Sequence, residues 1–326
     1  MSRAPVLSVI VLTPDVYDTV RQTIRHLAAQ SLHAQMEVVI VGPPSVMLPS
    51  DDVALGAFQA VQRVSVAELR KGSAGYAAGV RRAAAPIVAF AEDHAYPARG
   101  WAEAIVRAHG DGWAAVGPVM ANANPNGAIA WADFLLGYGP WLDPSPGGPV
   151  EYLPGHNSSY KRDVLLGYEP NLETWLDAES TIHWDLRARG QGLYLEPAAR
   201  THHFNYSLAS AWLPATYFAS RTFAGRRIRG WSAARRLAFA LGSPLIPLVR
   251  LGRCVRDFRR STPRPSVARV LPALATALAV SAVGEAVGYL FGPGDAPERV
   301  SAYEFHRDRQ VTARDRAAMA SARFWM

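Results

Sequence analysis

The chain opens with a run of branched and aliphatic residues, Val6-Leu7-Ser8-Val9-Ile10-Val11-Leu12, that stops at Pro14-Asp15. Short continuous apolar runs suit strands buried on both faces of a sheet. Val16, Val20, Ile24 and Leu27 then recur at helical spacing, so the pattern predicts a helix over Asp15–Gln30. A second buried strand is expected over Met36–Val41, closed by Gly42-Pro43-Pro44, and a third over Val61–Val66. Small residues dominate Ser73–Ala84, which reads as a helix. Pro86–Ala91 reads as a fourth strand, with Glu92-Asp93-His94 at its carboxyl end. A helix over Trp101–His109 and a strand over Trp113–Val119 follow. Strands alternating with helices predict an α/β fold with a mostly parallel sheet and right-handed crossovers. Ligands bind such sheets outside the carboxyl ends of the strands, which is where Glu92-Asp93-His94 falls.

From Asn122 to Pro154 the periodicity weakens. Gly, Pro, Asn and Trp are frequent there, and the persistence of aromatics suggests a long functional loop, not a linker. Order resumes at Gly155–Leu166, with a helix expected over Asp177–Arg189 and a short strand over Gly192–Leu195 before Pro197. After Asn205 the character changes. Ser207–Ala240 reads as helical, with arginines and aromatics interleaved. Leu241–Leu251 is apolar but interrupted by Gly242, Pro244 and Pro247. Val270–Phe291 is apolar apart from Glu285. That length could cross a bilayer, but Glu285 and the Ala-rich composition argue for a helical hairpin lying on or dipping into the membrane. The expected organisation is a catalytic α/β domain over 1–205, a basic and apolar helical membrane-associating region over 206–294, and a polar tail over 295–326.

The length of 326 residues suits one large α/β unit with an appendage, and 49% hydrophobic residues allow a sizeable core. The single cysteine, Cys254, excludes a disulfide framework and a cysteine-based zinc site, which fits a reducing compartment. The opening apolar run is read as a buried strand, not a signal peptide. The net charge of +7 is concentrated: thirteen arginines lie between Arg221 and Arg269 against one acid, Asp257. Such a field attracts phosphates, whether on lipids, nucleotides or nucleic acid.

Five segments carry candidate chemistry. Glu92-Asp93-His94 suits a divalent cation bridging two phosphates, since hard cations take oxygen ligands and His is acceptable to Mn²⁺; the plain alternative is a solvated strand-end turn. Asp177-Ala178-Glu179 opens a helix and offers a general base, although acids in a first turn also serve the helix dipole. His202-His203 could complete a metal site or only pack against the next helix. Gly155-His156-Asn157-Ser158-Ser159 offers donors and acceptors to a sugar or forms an ordinary turn. Gly72-Ser73-Ala74-Gly75-Tyr76-Ala77-Ala78-Gly79 allows close approach of a helix to the sheet or to a nucleotide. Neither GxGxxG nor GxxxxGK[ST] is present there.

In this order the segments resemble family 2 glycosyltransferases of the GT-A fold, over roughly residues 6–205. The resemblance rests on SVIVLTPDVYDTVRQTIRHLAAQS, MEVVIVGP, GSAGYAAGVRRAAAPIVAFAEDH, GWAEAIVRAH with AAVGP, LPGHNSSYKRDVLL, AESTIHWDLRARG and LYLEPAARTHH. It implies that Glu92 and His94 fall on the two acids of the family's Asp-x-Asp motif, His94 standing where a carboxylate is usual. It further implies that Glu179 is the general base of an inverting transfer, with Ala178 where an acid is usual. His203, or else His202, corresponds to the late metal-binding His. Thr13, Asp15, Gly75, Glu92 and Asp93 are then expected at the nucleotide-sugar donor, and Asp93, His94, His203 and His202 at a divalent cation, Mn²⁺ or Mg²⁺. His156, Asn157, Ser158 and Trp131 are expected at the acceptor. The implied partners are a nucleotide-sugar, a glycan or lipid-linked acceptor and an anionic membrane surface, with no nucleic acid, at the cytoplasmic face of the cell membrane. An inactive nucleotide-binding module and a basic nucleic-acid-binding protein stand as alternatives.

Overall fold

The computed structural model describes residues 4–261 and 265–324; Arg264 of the basic stretch lies outside them. The chain divides into two compact units. The first comprises Met1–Ala121, Ser145–His203 and Ala320–Met326, and the second Asn122–Pro144 and Phe204–Met319.

Nine strands among the described residues form one sheet: β1 (Leu7–Leu12), β2 (Met36–Gly42), β3 (Ala60–Ser65), β4 (Ile87–Ala91), β5 (Ala95–Pro97), β6 (Ala115–Asn122), β7 (Gly148–Pro149), β8 (Ser159–Lys161) and β9 (Leu193–His203). Their order is β3-β2-β1-β4-β8-β6-β9-β5, with β7 paired to β9. The expected parallel sheet is the first half. β1 lies parallel to β2 and β4, and β3 parallel to β2. Every residue of β1, β2 and β4 is buried, as their unbroken apolar runs require, while β3 at the edge is only partly covered. The other half is antiparallel: β8 joins β4 and β6, and β5 and β7 both pair with β9. The sheet is therefore mixed.

The helix Arg21–Ala28 inserts Ile24 and Leu27 into the core beneath β1, and Trp101–Gly110 adds Trp101, Ile105 and Ala108. Helix Gly72–Arg82 lies close to the sheet because Gly75 has no side chain. A Cβ there would sit 2.7 Å from Leu69 Cδ1 and 2.9 Å from Leu12 Cδ2. The last strand runs well past the expected Gly192–Leu195, straight through Pro197. Pro lacks a ladder donor, but Pro197 falls between the Tyr194–Leu195 pairing with β7 and the Thr201–His203 pairing with β5.

The second unit is helical. Residues 122–154, read as a loop, contain the helix Ala128–Tyr138, whose Ala130, Trp131, Phe134 and Leu135 are buried. Helices Ala209–Arg227, Ala233–Gly242, Ile246–Arg260 and Val267–Phe291 follow, then Ala296–Glu304 and Ala313–Ser321 within the polar tail. Pro244 sits in the 3-10 turn Ser243–Leu245 and Pro247 in the first turn of its helix, where a missing N–H costs nothing. Helix Val267–Phe291 packs along Ala209–Arg227, with Ser220 and Ser281 hydroxyls 2.8 Å apart. Arg250 donates to Leu136 O (3.3 Å) and Ser281 Oγ (3.2 Å) and lies 3.6 Å from Glu285.

Candidate functional site

Glu92-Asp93-His94 forms the turn between β4 and β5, and all three side chains are buried. The turn is anchored from below. Thr23 Oγ1 donates to Glu92 O at 2.8 Å, and Tyr76 Oη reaches Ala91 O at 3.5 Å. Thr23 was not singled out in the sequence. Its signal is positional, because it shares the buried helix face with Val20, Ile24 and Leu27.

The antiparallel register of β5 and β9 sets the next component. Ala95 faces His203 and Tyr96 faces His202. His203 is thereby placed beside Glu92 and His94. Its Nε2 lies 3.6 Å from Glu92 Oε2, and its ring centroid 4.8 Å from that of His94. His94 Nε2 lies 3.8 Å from the same Glu92 oxygen. One ligand atom from each of Glu92, His94 and His203 falls within 4.8 Å of the others. Successive strand residues point to opposite faces, so His202 turns away. Its ring stacks on Phe324 at 4.0 Å and 6°, and burial pushes its pKa down to about 4.

Asp93 does not face this cluster. Its Oδ1 takes the proton of His94 Nδ1, which leaves Nε2 as the nitrogen turned toward Glu92. A carboxylate on the far nitrogen is the usual way a metal-binding imidazole is oriented. Spacings of 3.6–3.8 Å are too long for hydrogen bonds but suit N and O atoms sharing one cation at roughly 2.0–2.2 Å. Two imidazoles and one carboxylate together make a donor set for a divalent ion, the imidazoles suiting transition metals and the carboxylate harder ions.

The fourth side is Gly155–Asn157, a 3-10 turn after Pro154. Asn157 Nδ2 donates to Glu92 Oε2 at 2.7 Å. His156 bridges two acids, with Nε2 2.6 Å from Glu179 Oε1 and Nδ1 3.5 Å from Glu92 Oε1. Gly155 makes room for this. A Cβ there would lie 2.6 Å from Glu179 Oε2. Glu179 occupies the N-cap position of helix Ser180–Ala188. Burial alone would raise the Glu92 carboxyl, but His94, His156 and His203 hold it well below the usual range. Burial would likewise lower His156, but Glu179 and then Glu92 hold its pKa well above that of free histidine. A chain of alternating charge thus runs Glu179–His156–Glu92.

The remaining expected residues make their own local contacts. Thr13 is buried at the end of β1 and donates to Val16 O. Asp15 accepts from Val16 N and Thr19 Oγ1 just beyond it. Gly75 faces Leu69 and Leu12 in the helix–sheet contact. Ser158 is buried, donates to Pro154 O and accepts from Phe90 N, so it extends the pairing of β4 with β8. Trp131 belongs to the second unit, where its indole N–H is taken by Pro125 O and its ring meets Phe258 edge-on.

Residues 8–167 match the family model for glycosyl transferase family 2. Among solved structures, the chain is similar to a mannosyltransferase from Pyrobaculum calidifontis determined with GDP-Man and Mn²⁺. The identity is 16%, the coverage 87% of this chain and 88% of that one, and the TM-score 0.52. It also matches GalNAc-T7 determined with UDP, GalNAc and Mn²⁺, at 14% identity, 64% and 45% coverage and a TM-score of 0.46. TarS residues 1–349 of S. aureus match at 14% identity, 86% and 90% coverage and a TM-score of 0.44. No curated protein sequence matches the chain. The mixed sheet flanked by helices is of the GT-A type. The family match covers the segment that carries Glu92, His94 and His156, so residues 8–167 of this GT-A-type fold form a family 2 glycosyltransferase domain.

Proposed function

We propose that the protein moves a sugar from a nucleotide-sugar to an envelope, polysaccharide or lipid-linked acceptor with inversion at the anomeric carbon, at the cytoplasmic face of a membrane. The observation that carries this reading is the line Glu179–His156–Glu92, which links an acid suited to proton transfer with the cluster Glu92, His94 and His203. The P. calidifontis protein was determined with GDP-Man and Mn²⁺, which supports a nucleotide-sugar and a divalent cation here as well.

Glu92, His94 and His203 would hold the cation, whose chemistry is to offset the charge of the departing diphosphate. Glu179 accepts the proton of the acceptor hydroxyl as its oxygen attacks the anomeric carbon. The bond from that carbon to the diphosphate oxygen breaks on the opposite face, so the configuration inverts. His156 Nε2 lies 2.6 Å from Glu179 Oε1 and holds that carboxylate by charge. Asn157 keeps Glu92 in place, and Asp93 keeps the His94 Nε2 lone pair turned inward. Burial of these groups excludes water, which would otherwise compete with the acceptor. The two apolar C-terminal helices and their arginines would hold the protein at anionic lipid.

The test is release of nucleoside diphosphate from a panel of UDP- and GDP-sugars with Mn²⁺, comparing wild type with Glu179→Ala. A fall of about a hundredfold or more is expected for removal of a general base. Equal rates would remove Glu179 from the mechanism. Product anomers read by NMR would settle inversion against retention.

A further inference from the structure

Helices Ala233–Gly242 and Ile246–Arg260, with the 3-10 turn between them, form one nearly continuous rod within the second unit. It packs on Val267–Phe291 and, through Arg250, Cys254 and Phe258, on Ala128–Tyr138. A further side is exposed. Leu237, Leu241, Leu245, Leu248 and Val249 are 50–72% exposed; the first three are four residues apart, and Leu248 and Val249 lie three and four residues beyond Leu245, so they share a face. Five large aliphatic side chains in one exposed row exceed the scattered apolar residues ordinary on a soluble surface. Further along the same rod the exposed positions become Arg253, Arg256, Arg259 and Arg260. The surface is thus divided lengthwise into an apolar part and a cationic part.

We infer that this face is where the protein docks on an anionic lipid bilayer, lying in the interface with its leucines in the acyl boundary and its arginines among the headgroups. The inference deepens the membrane association proposed above and rests on it. Charge selects the partner: the apolar row continues into cations, a pairing that matches anionic lipid and not a second copy of the same basic face. Length selects the mode. Residues 237–249, between Arg236 and Arg250, rise only about 20 Å at about 1.5 Å per residue, against a hydrocarbon core of about 30 Å. Residues 270–284, between Arg269 and Glu285, rise about 22 Å on the same basis. That second helix is also engaged with its own unit, through Ser281 to Ser220 and Glu285 to Arg250. Neither helix therefore spans; the first lies on the surface and the second supports it.

The experiment is flotation of the full chain with phosphatidylglycerol vesicles and, separately, with phosphatidylcholine vesicles, followed by an alkaline carbonate wash. Wild type is expected to float with the anionic vesicles only and to be released by carbonate. Leu241→Asp with Leu248→Asp is expected to lower the bound fraction about tenfold or more with its thermal melt unchanged. If that pair lowers the melt, Leu241→Ser with Leu248→Ser takes its place. Resistance to carbonate would mean that the chain spans, and undiminished flotation of the variants would place the docking face elsewhere. A lipid-free dimer dissolved by these changes, in a chain that ignores both vesicles, would assign the row to self-association. Failure of wild type to float on anionic vesicles would sink the membrane-association reading itself, whereas the variants test only the face.

Discussion

Gly155 offers a way to move the catalytic acid without removing it. In Gly155→Ala the new Cβ would stand 2.6 Å from Glu179 Oε2 and 2.8 Å from its Cδ. Carbon contacts settle near about 3.5 Å, so the carboxylate must retreat by nearly 1 Å. The 2.6 Å ion-pair contact between His156 and Glu179 then widens and weakens. The atom that gives way is the end of a flexible side chain, so stability should hardly change. An off-rotamer glutamate costs about 0.5–1.5 kcal/mol, while replacing Gly by Ala returns about 0.4–1 kcal/mol through the unfolded chain. Gly155 does not have positive φ, so Ala fits its backbone. The expected change in Tm is within about 2 °C. Catalysis should respond far more, because a displacement near 1 Å can cost about a hundredfold. Nucleoside diphosphate release and a thermal melt on the same preparation measure both quantities. Full activity at unchanged Tm would show that the position of Glu179 does not matter. Collapse of the fold would show that the neighbour is not free to move.

Adjacent histidines should behave oppositely. His203→Ala should abolish the rise in Tm that Mn²⁺ gives and most of the activity, while His202→Ala should keep both and lose only about 1 kcal/mol of ring stacking. Thermal melts with and without Mn²⁺ distinguish them, and equal behaviour would refute the strand alternation. Tyr160→Phe removes the hydroxyl 2.8 Å from His183 Nε2 in a buried pair and should cost about 1–3 kcal/mol, read from denaturant midpoints. Acid should destabilise the first unit before its carboxylates titrate. Burial lowers His26 and His109 to about 4 and His183 to about 3, so the unfolded chain binds more protons below about pH 6.5. Stability is therefore complete above about pH 6.5 and falls toward about pH 4, by at most about 3 kcal/mol for each histidine. A urea midpoint that is flat across that window would show that these rings are not held neutral.

Much of the first unit was legible because its strands are covered on both faces and read as unbroken apolar runs. β1, β2 and β4 fall within a residue or so of the expected Val6–Leu12, Met36–Val41 and Pro86–Ala91. The antiparallel half was not, because β5 and β8 are only three residues long and are defined by partners distant in sequence. The candidate cluster around Glu92 was visible from the strand end. Its division of labour was not. Whether His202 or His203 faces Glu92 depends on the pairing register of β5 and β9, which no local pattern contains. The roles of Asp93 and His156 depend likewise on which nitrogen meets which acid. The helix Ala128–Tyr138 was hidden by flanking Asn, Pro and Gly, although its buried Ala130, Trp131 and Phe134 keep helical phase.

The pairing of β5 with β9 also bears on how the protein matures. Glu92 and His94 are synthesised early, but the third corner of their triangle arrives only with residue 203, on the last strand of the sheet. A ribosome-bound chain can thus complete most of the parallel half before the cluster exists. Any ion the finished cluster holds binds only the closed sheet, so its affinity is spent partly on keeping β5 and β9 zipped. Backbone amides of Ala95 and His203 should then exchange with solvent more slowly when the ion is added, while those of β3 at the far edge should not change. Ion uptake becomes a timer for the closing of the sheet.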